Sequence, residues 1–430
     1  MNPRITFARW RQSLFVGNVV ARLGALASLA LATVVVARIG GPPQVGVYAL
    51  LRVLPGLAGV VISAGLPGAV AYFLSGPARR DSRMRLTIVA IAAVGGLTGT
   101  MLWVLGTPLL IRIFFHNLDP ALVIWAGVTV FTQLFVATAK SCSQGTDDLR
   151  GANRVIVLEE LTFLPAFFAL LAVGIRGYAA IIAGLLIADV ATAAVGWMRL
   201  ARRGFFRDLA GPSLALAREV CAYGARAQIG GVLLLLNLRL DFALLGALAG
   251  PAVLGTYAIA SKFAELLKLP PMALTYVLYP SYSAAGAETA ARDARALIPR
   301  AAAFNAVAAL PLALAAAVLL PLIYGEAFRS SIVPAYILLF GLAGEGIAGV
   351  ITPFFYGIGR PGLNSLAMAA GVIVTVVLDL ALIPRFEATG AALASSASYL
   401  TTTLLLMVFF WTVNRRAGRD VVPAAVRGVP

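Results

Sequence analysis

Apolar runs close to the length of a bilayer-spanning helix recur from one end of this 430-residue chain to the other. A helix needs about 20 predominantly apolar residues to cross the hydrocarbon core of a membrane. Six such segments lie at 13–39, 45–74, 86–105, 121–143, 155–173 and 178–197. Six more follow at 220–247, 254–279, 301–323, 332–357, 363–382 and 391–413, each bounded by Gly, Pro or charge. Hydrophobic residues make up 60% of the chain and charged ones 12%, against about 25% charge in a soluble domain. With a mean hydropathy of +0.92, that surface is too apolar to hide in one core. A soluble enzyme, a secreted disulfide scaffold and a disordered protein are excluded. The expected fold is an all-α polytopic membrane protein with 12 transmembrane helices. The basic start and first apolar run resemble a signal peptide, but the membrane-like remainder makes this an uncleaved first span.

The formal net charge is +16, from 34 Lys and Arg against 18 Asp and Glu. Its distribution decides what it means. Alternate connections, starting with the N-terminus, hold 22 arginines, including the clusters Arg79–Arg85, Arg199–Arg207 and Arg292–Arg300; the opposite set holds five, Arg38, Arg112, Arg176, Arg329 and Arg385. Basic residues are retained on the cytoplasmic side, so both termini are expected there. The charge then reflects topology and attraction to anionic membrane lipids, and no nucleic-acid partner is expected. The segment 201–219 mixes Phe205, Phe206, Leu209 and Leu214 with arginines, the pattern of an interfacial amphipathic helix. It divides a first lobe, 1–200, from a second, 220–414, with a tail at 415–430.

The two halves repeat each other. Gly41-Pro42, Gly46, Tyr48 and Ala49 recur as Gly250-Pro251, Gly255, Tyr257 and Ala258 at one offset of 209 residues. Six spans per half start both halves on the same side. That predicts two six-helix lobes related by a pseudo-two-fold axis along the membrane normal, facing a central cavity, as in many transporters.

No nucleotide-binding phosphate loop, HExxH or GxSxG motif is present, and Cys142, Cys221 and the single His116 are too few for a metal cluster or redox centre. No catalytic residue and no cofactor are expected. Glu159 and Glu160 are adjacent, so on a helix they point about 100° apart and flank no common atom; they are read as structural or interfacial. Ionisable groups inside spans are costly and usually face the bundle interior. Asn18 and Arg22 share one polar face of the first span; Arg226, Gly230, Asn237 and Asp241 form a comparable stripe on the seventh. Arg52 lies inside the second. Lys262, Glu265 and Lys268 precede a Pro270-Pro271 kink. These groups give two readings: cavity cations that hold an anionic head group, or charges that neutralise one another, as Lys262–Glu265 and Glu265–Lys268 would at i,i+3. Arg22, Arg52 and Arg226 have no acid within one helical turn. Lys140 is read as snorkelling from a helix end. Asp189, Glu345 and Asp379 either carry a coupling cation or proton or pair with arginines, and Asp241 and Glu265 join Asp379 as ion-coupling candidates.

Asn237-Leu-Arg239-Leu-Asp241 followed by Gly250-Pro251-Ala-Val-Leu-Gly255-Thr-Tyr257-Ala258 resembles the seventh-to-eighth helix signature of the polysaccharide transporter family, within the multidrug/oligosaccharidyl-lipid/polysaccharide exporter superfamily. Tyr356-Gly-Ile-Gly359-Arg360-Pro361, Asp379-Leu-Ala-Leu-Ile383-Pro384-Arg385-Phe and Thr389-Gly390-Ala391-Ala392-Leu393-Ala394 are similar to its eleventh-helix region, and Gly65-Leu66 also fits. The resemblance implies a bacterial inner-membrane flippase. Such a protein moves polyprenyl-pyrophosphate-linked oligosaccharide to the outer leaflet by alternating access, for O-antigen, capsule or exopolysaccharide assembly, beside polymerases and glycosyltransferases. In related lipid II flippases, cations on the first, second and eighth helices are thought to meet the pyrophosphate; Arg22, Arg52 and Lys262 fall on those helices. Substrate-binding candidates are therefore Arg22, Arg52, Arg226, Lys262, Asn18 and Asn237. The first lobe's deep charges read as mainly basic, which favours an anionic substrate. The alternatives are an ion-coupled multidrug or cation antiporter of the same superfamily, and a membrane-embedded polysaccharide polymerase or ligase, whose large external catalytic loop this chain lacks.

Overall fold

The computed structural model describes residues 3–75, 81–116, 118–207, 210–227 and 229–420. Among them there is no β-strand, and fifteen α-helices follow one another. Among the described residues eight helical segments are long and apolar enough to cross a membrane, or nine if Glu326–Leu342 with Glu345–Gly357, bent by 42° at its break, is one span. The protein is a multi-pass membrane protein. The twelve segments expected from composition correspond to fewer separate membrane-length stretches because three boundaries are kinks rather than loops. α1 (Pro3–Ile62) runs through Gly41, at φ 66°. Two helices likewise abut at Gly250 and at Glu387, each a single residue with non-helical φ/ψ. A straight 60-residue helix would be about 90 Å long, three times the hydrocarbon thickness of about 30 Å.

The chain divides into two compact units. The first comprises Met1–Leu235 with Gly250–Gly255. After α1 come α2 (Leu66–Ser75), α3 (Ser82–Leu105), α4 (Thr107–Ile113), α5 (Pro120–Gly145), α6 (Leu149–Leu161), α7 (Phe163–Ala172) and α8 (Gly177–Arg202). α5 is the hub, packed on α1, α2, α3, α6 and α8. α9 (Leu214–Ala227) packs on α2 and α3; it shares only 214–219 with the amphipathic segment expected at 201–219 and takes in the start of the expected seventh span. Its Tyr223 stacks on Tyr72 with ring centroids 4.2 Å apart. Arg85 donates to the carbonyls of Gly204 and Phe205 at 3.1 and 2.8 Å and anchors the turn ahead of it.

The second unit comprises Leu236–Ala249 and Thr256–Pro430. α10 (Ile229–Ala264) is kinked at Gly250, φ 82°. A 3₁₀ turn, Glu265–Lys268, leads into α11 (Leu269–Ala285), where the prolines had predicted a kink. α12 (Ala287–Tyr324), α13 (Ile332–Leu342) and α14 (Glu345–Gly357) follow, and α15 (Pro361–Asp420) is kinked at Glu387. α14 packs on α11, α12 and α15. Its Gly346, Gly349 and Gly357 meet Ala301, Pro271 and Tyr282 so closely that a side chain would not fit. Small residues at helix crossings are how membrane helices approach without a hydrophobic drive between them.

The repeated motif has a structural meaning. Gly41 and Gly250 both adopt positive φ, which glycine does without a Cβ penalty. Within the first unit, a Cβ on Gly46 would run into the Pro251 carbonyl oxygen, and one on Gly255 into that of Pro42. The contacts are reciprocal: each motif's glycine receives the other motif's proline carbonyl.

Candidate functional site

Polar side chains gather at membrane depth in both units. In the first, Arg52 on α1 donates to the Glu160 carboxylate on α6 and lies 5.8 Å over the Tyr48 ring. One residue earlier, Glu159 accepts from Lys140 of α5 at 3.0 Å. The two glutamates diverge around the helix as their spacing requires, and each takes one cation. Thr132 of α5 donates to Asp189 of α8 at 2.9 Å, and Gln133 donates to the Leu51 carbonyl at 3.1 Å.

This arrangement corrects two expectations. Arg52 has a neutralising acid after all, because Glu160 reaches it from another helix rather than along its own. Lys140 does not simply snorkel, since Glu159 pairs with it. Two cations face two carboxylates, with Asp189 as a further acid nearby, so the deep charges of this unit are not mainly basic.

Arg22 lies on the exposed side of α1. The Asn18 and Asn237 side chains lie outside the described residues. Arg226 is exposed, and its Nε donates to the Ala222 carbonyl at 3.1 Å. It belongs to α9 and Asp241 to α10, so the expected stripe is divided between two helices.

In the second unit, Glu265 accepts from Arg239 Nη1 at 2.9 Å and also feels the charges of Lys268 and Lys262. Glu265 opens the 3₁₀ turn, and Arg239 reaches it from α10, a pairing that no i,i+3 spacing indicates. The Arg239 guanidinium lies 5.2 Å over Phe242, and Lys268 Nζ sits 4.4 Å from the Tyr399 ring centroid. Arg239, Lys262 and Lys268 thus gather around Glu265, and the Asp241 carboxylate also acts on Arg239. Arg239 was visible in the sequence only as part of a family motif; its spacing from Glu265 gave no signal, because the pairing depends on how α10 folds back.

Asp241, on the same helix, is buried. It accepts from the Tyr257 hydroxyl, from the Phe242 backbone N–H at 2.9 Å and from Ser395 at 3.2 Å. Asp379 on α15 is completely buried, its two oxygens accept no hydrogen bond among the described residues, and it lies close enough to Asp241 for their charges to repel. Thr375, one turn before it, is likewise buried with its hydroxyl unused. Carboxylate and hydroxyl oxygens suit a hard cation rather than a transition metal. Among the described residues no group of three or more His, Cys, Asp or Glu is placed to hold a metal ion.

Outside the spans, Asp148 caps α6 by accepting the Gly151 N–H at 3.0 Å. It also accepts from Arg199 Nε and Nη2 at 2.6 and 2.8 Å, with Arg203 at 3.6 Å. Burial pushes its carboxyl up, but the hydrogen bonds from Arg199 and Gly151, with the charges of Arg199 and Arg203, outweigh that and hold it below the usual carboxylate range.

The family model described as polysaccharide biosynthesis protein matches residues 35–333. The chain belongs to that family. Both copies of the Gly-Pro motif fall within the matched span. Among curated proteins, this polysaccharide biosynthesis protein is 23% identical over 363 residues to the probable low-salt glycan biosynthesis flippase Agl15 of Haloferax volcanii, covering 84% of this chain and 75% of the relative. Among solved structures it resembles the lipid II flippase MurJ in an inward closed conformation, with a TM-score of 0.69 and 14% identity over 93% of this chain and 87% of that one. It is equally similar in fold to a multidrug resistance MATE family transporter of the MOP superfamily, with a TM-score of 0.69 and 16% identity over 94% and 96% of the two chains.

Proposed function

We propose that the protein is a flippase that carries a polyprenyl-pyrophosphate-linked oligosaccharide from the cytoplasmic to the outer leaflet of a bacterial inner membrane by alternating access. Each of the three kinked segments is taken as two crossings, giving twelve spans with both termini in the cytoplasm. The observation that carries the reading is the cluster of Arg239, Lys262 and Lys268 around Glu265. At membrane depth clustered charges are expensive unless water or opposite charges meet them, and a pyrophosphate would offer these cations a further anion. Arg22 is a second anion contact. Arg52 serves the substrate only by leaving Glu160. Asp241 and Asp379 are the coupling site, a buried carboxylate pair that a cation or a proton relieves of its repulsion. The family membership and the flippase Agl15 support this reading, and polymerases and glycosyltransferases are the partners it implies.

A second reading, an ion-coupled cation antiporter, is favoured by the acids Asp189, Asp241 and Asp379 and by the likeness in fold to a multidrug transporter. Proteoliposomes carrying a fluorescent polyprenyl-pyrophosphate oligosaccharide, tested with and without proton and sodium gradients beside a lipophilic cation dye, decide between them. Movement of the lipid-linked sugar alone is expected. Gradient-driven dye efflux with no sugar movement overturns the flippase reading in favour of the antiporter.

A further inference from the structure

A cavity of about 290 Å³ opens in the second unit between the first turns of α12, the end of α14 and the end of α15. Arg292 and Arg295 line it from α12, with Glu288 beside them; Phe354, Val413 and Asn414 are among its other walls. The arginines are three residues apart and therefore share one face of α12. Both are exposed, and neither makes a salt bridge among the described residues. Arg295 is held with its guanidinium 5.6 Å over the Trp411 ring. Stacked on an indole, a guanidinium keeps the N–H donors around its edge available for an anion.

The height of the cavity identifies that anion. On α12 the charged stretch ending at Arg300 gives way to an uncharged run, 301–324. On α15 the uncharged run 388–413 ends at Asn414, Arg415 and Arg416, and after α14 the first charge is Arg360. Three apolar-to-charged transitions thus meet at one level, where a bilayer places its phosphates, and a half-exposed tryptophan marks the same level. Basic pockets between helices at that level suit anionic lipid head groups.

We propose that this cavity holds the phosphate of an anionic glycerophospholipid of the surrounding membrane, with Arg292 and Arg295 as its ligands and Glu288 limiting its affinity. The inference is independent of which substrate the protein transports. The test uses the full-length protein in nanodiscs of mixed phosphatidylglycerol and phosphatidylcholine, with native mass spectrometry to count the lipids retained. The wild type is expected to retain phosphatidylglycerol preferentially. Arg292→Gln and Arg295→Gln each lower that preference about fivefold, as expected for one basic residue near a charged surface. Glu288→Gln raises it, and Arg83→Gln, an exposed arginine of the first unit, leaves it unchanged. An unchanged preference in the Arg292→Gln/Arg295→Gln double variant overturns the proposal. So does an equal loss in Arg83→Gln, which assigns the effect to the field of the whole surface. Displacement of the retained lipid by millimolar glycerol phosphate overturns the membrane lipid as the source.

Discussion

Glu159 and Glu160 are neighbours in the chain yet serve different helices, and this makes the Arg52–Glu160 pair separable from its surroundings. Removing one partner strands the other charge in a poorly solvated place, whereas removing both does not. Arg52→Gln and Glu160→Gln are each expected to cost about 2 kcal/mol, and the double variant less than the sum; thermal unfolding of the detergent-solubilised protein checks the cycle. Additive losses would mean that the two side chains are not coupled. At Asp148 the sign of the pH dependence follows from its lowered pKa. A carboxyl held below its unfolded value contributes stability above about pH 4, and that contribution is lost as pH falls through the folded value. Asp148→Asn should therefore lower the melting temperature at pH 7 and flatten its decline between pH 4 and pH 2. A parallel decline in both proteins excludes Asp148 as its source.

At the scale of helices, the apolar segments were legible because the period of charge, Gly and Pro marks each one, whereas the helix after the first lobe lies further along, at Leu214–Ala227, than the mixture of Phe, Leu and Arg at 201–219 suggests. Continuity was not. Gly41-Pro42 and Gly250-Pro251 look like loops in sequence, but a single positive-φ residue turns the chain while hydrogen bonding resumes at once. The cation partners were also hidden: Glu160 meets Arg52, and Glu265 meets Arg239, across 108 and 26 residues, where no helical spacing rule applies. The third kink is made by Glu387, at φ 49° and ψ −127°, a conformation glycine tolerates far better than a residue with a Cβ. Glu387→Gly is expected to stabilise the protein by about 1 kcal/mol, read as a higher melting temperature. A lower one would show that the Glu387 side chain contributes more than its backbone costs. At Gly46 the opposite holds. Gly46→Val places its side chain against the Pro251 carbonyl, and the yield of monodisperse protein from the membrane should fall sharply, while Gly24→Ala, where nothing lies within 4 Å of the added carbon, leaves it unchanged.

Over the whole molecule, the formal charge of +16 divides between surface arginines, paired buried charges and one unit's cluster of cations, and the proposed transport role rests chiefly on the last. An Arg239→Gln/Glu265→Gln variant keeps the local charge unchanged and leaves Lys262 and Lys268 in place, so it should fold; it should transport lipid-linked glycan at about a tenth of the wild-type rate, the change expected for one lost charged contact. Lys262→Ala/Lys268→Ala should abolish transport. Full activity in both variants removes the cluster from the mechanism. Asp379→Asn, in turn, should leave insertion intact and make flipping insensitive to the imposed ion gradient. The reciprocal seating of Gly46 on Pro251 and of Gly255 on Pro42 reaches beyond any single variant. A chain that arose by copying one half would inherit both members of that contact from one ancestral motif, which had to fit against itself. In such a chain neither copy is free to drift alone, because a bulkier residue in one is answered by the backbone of the other.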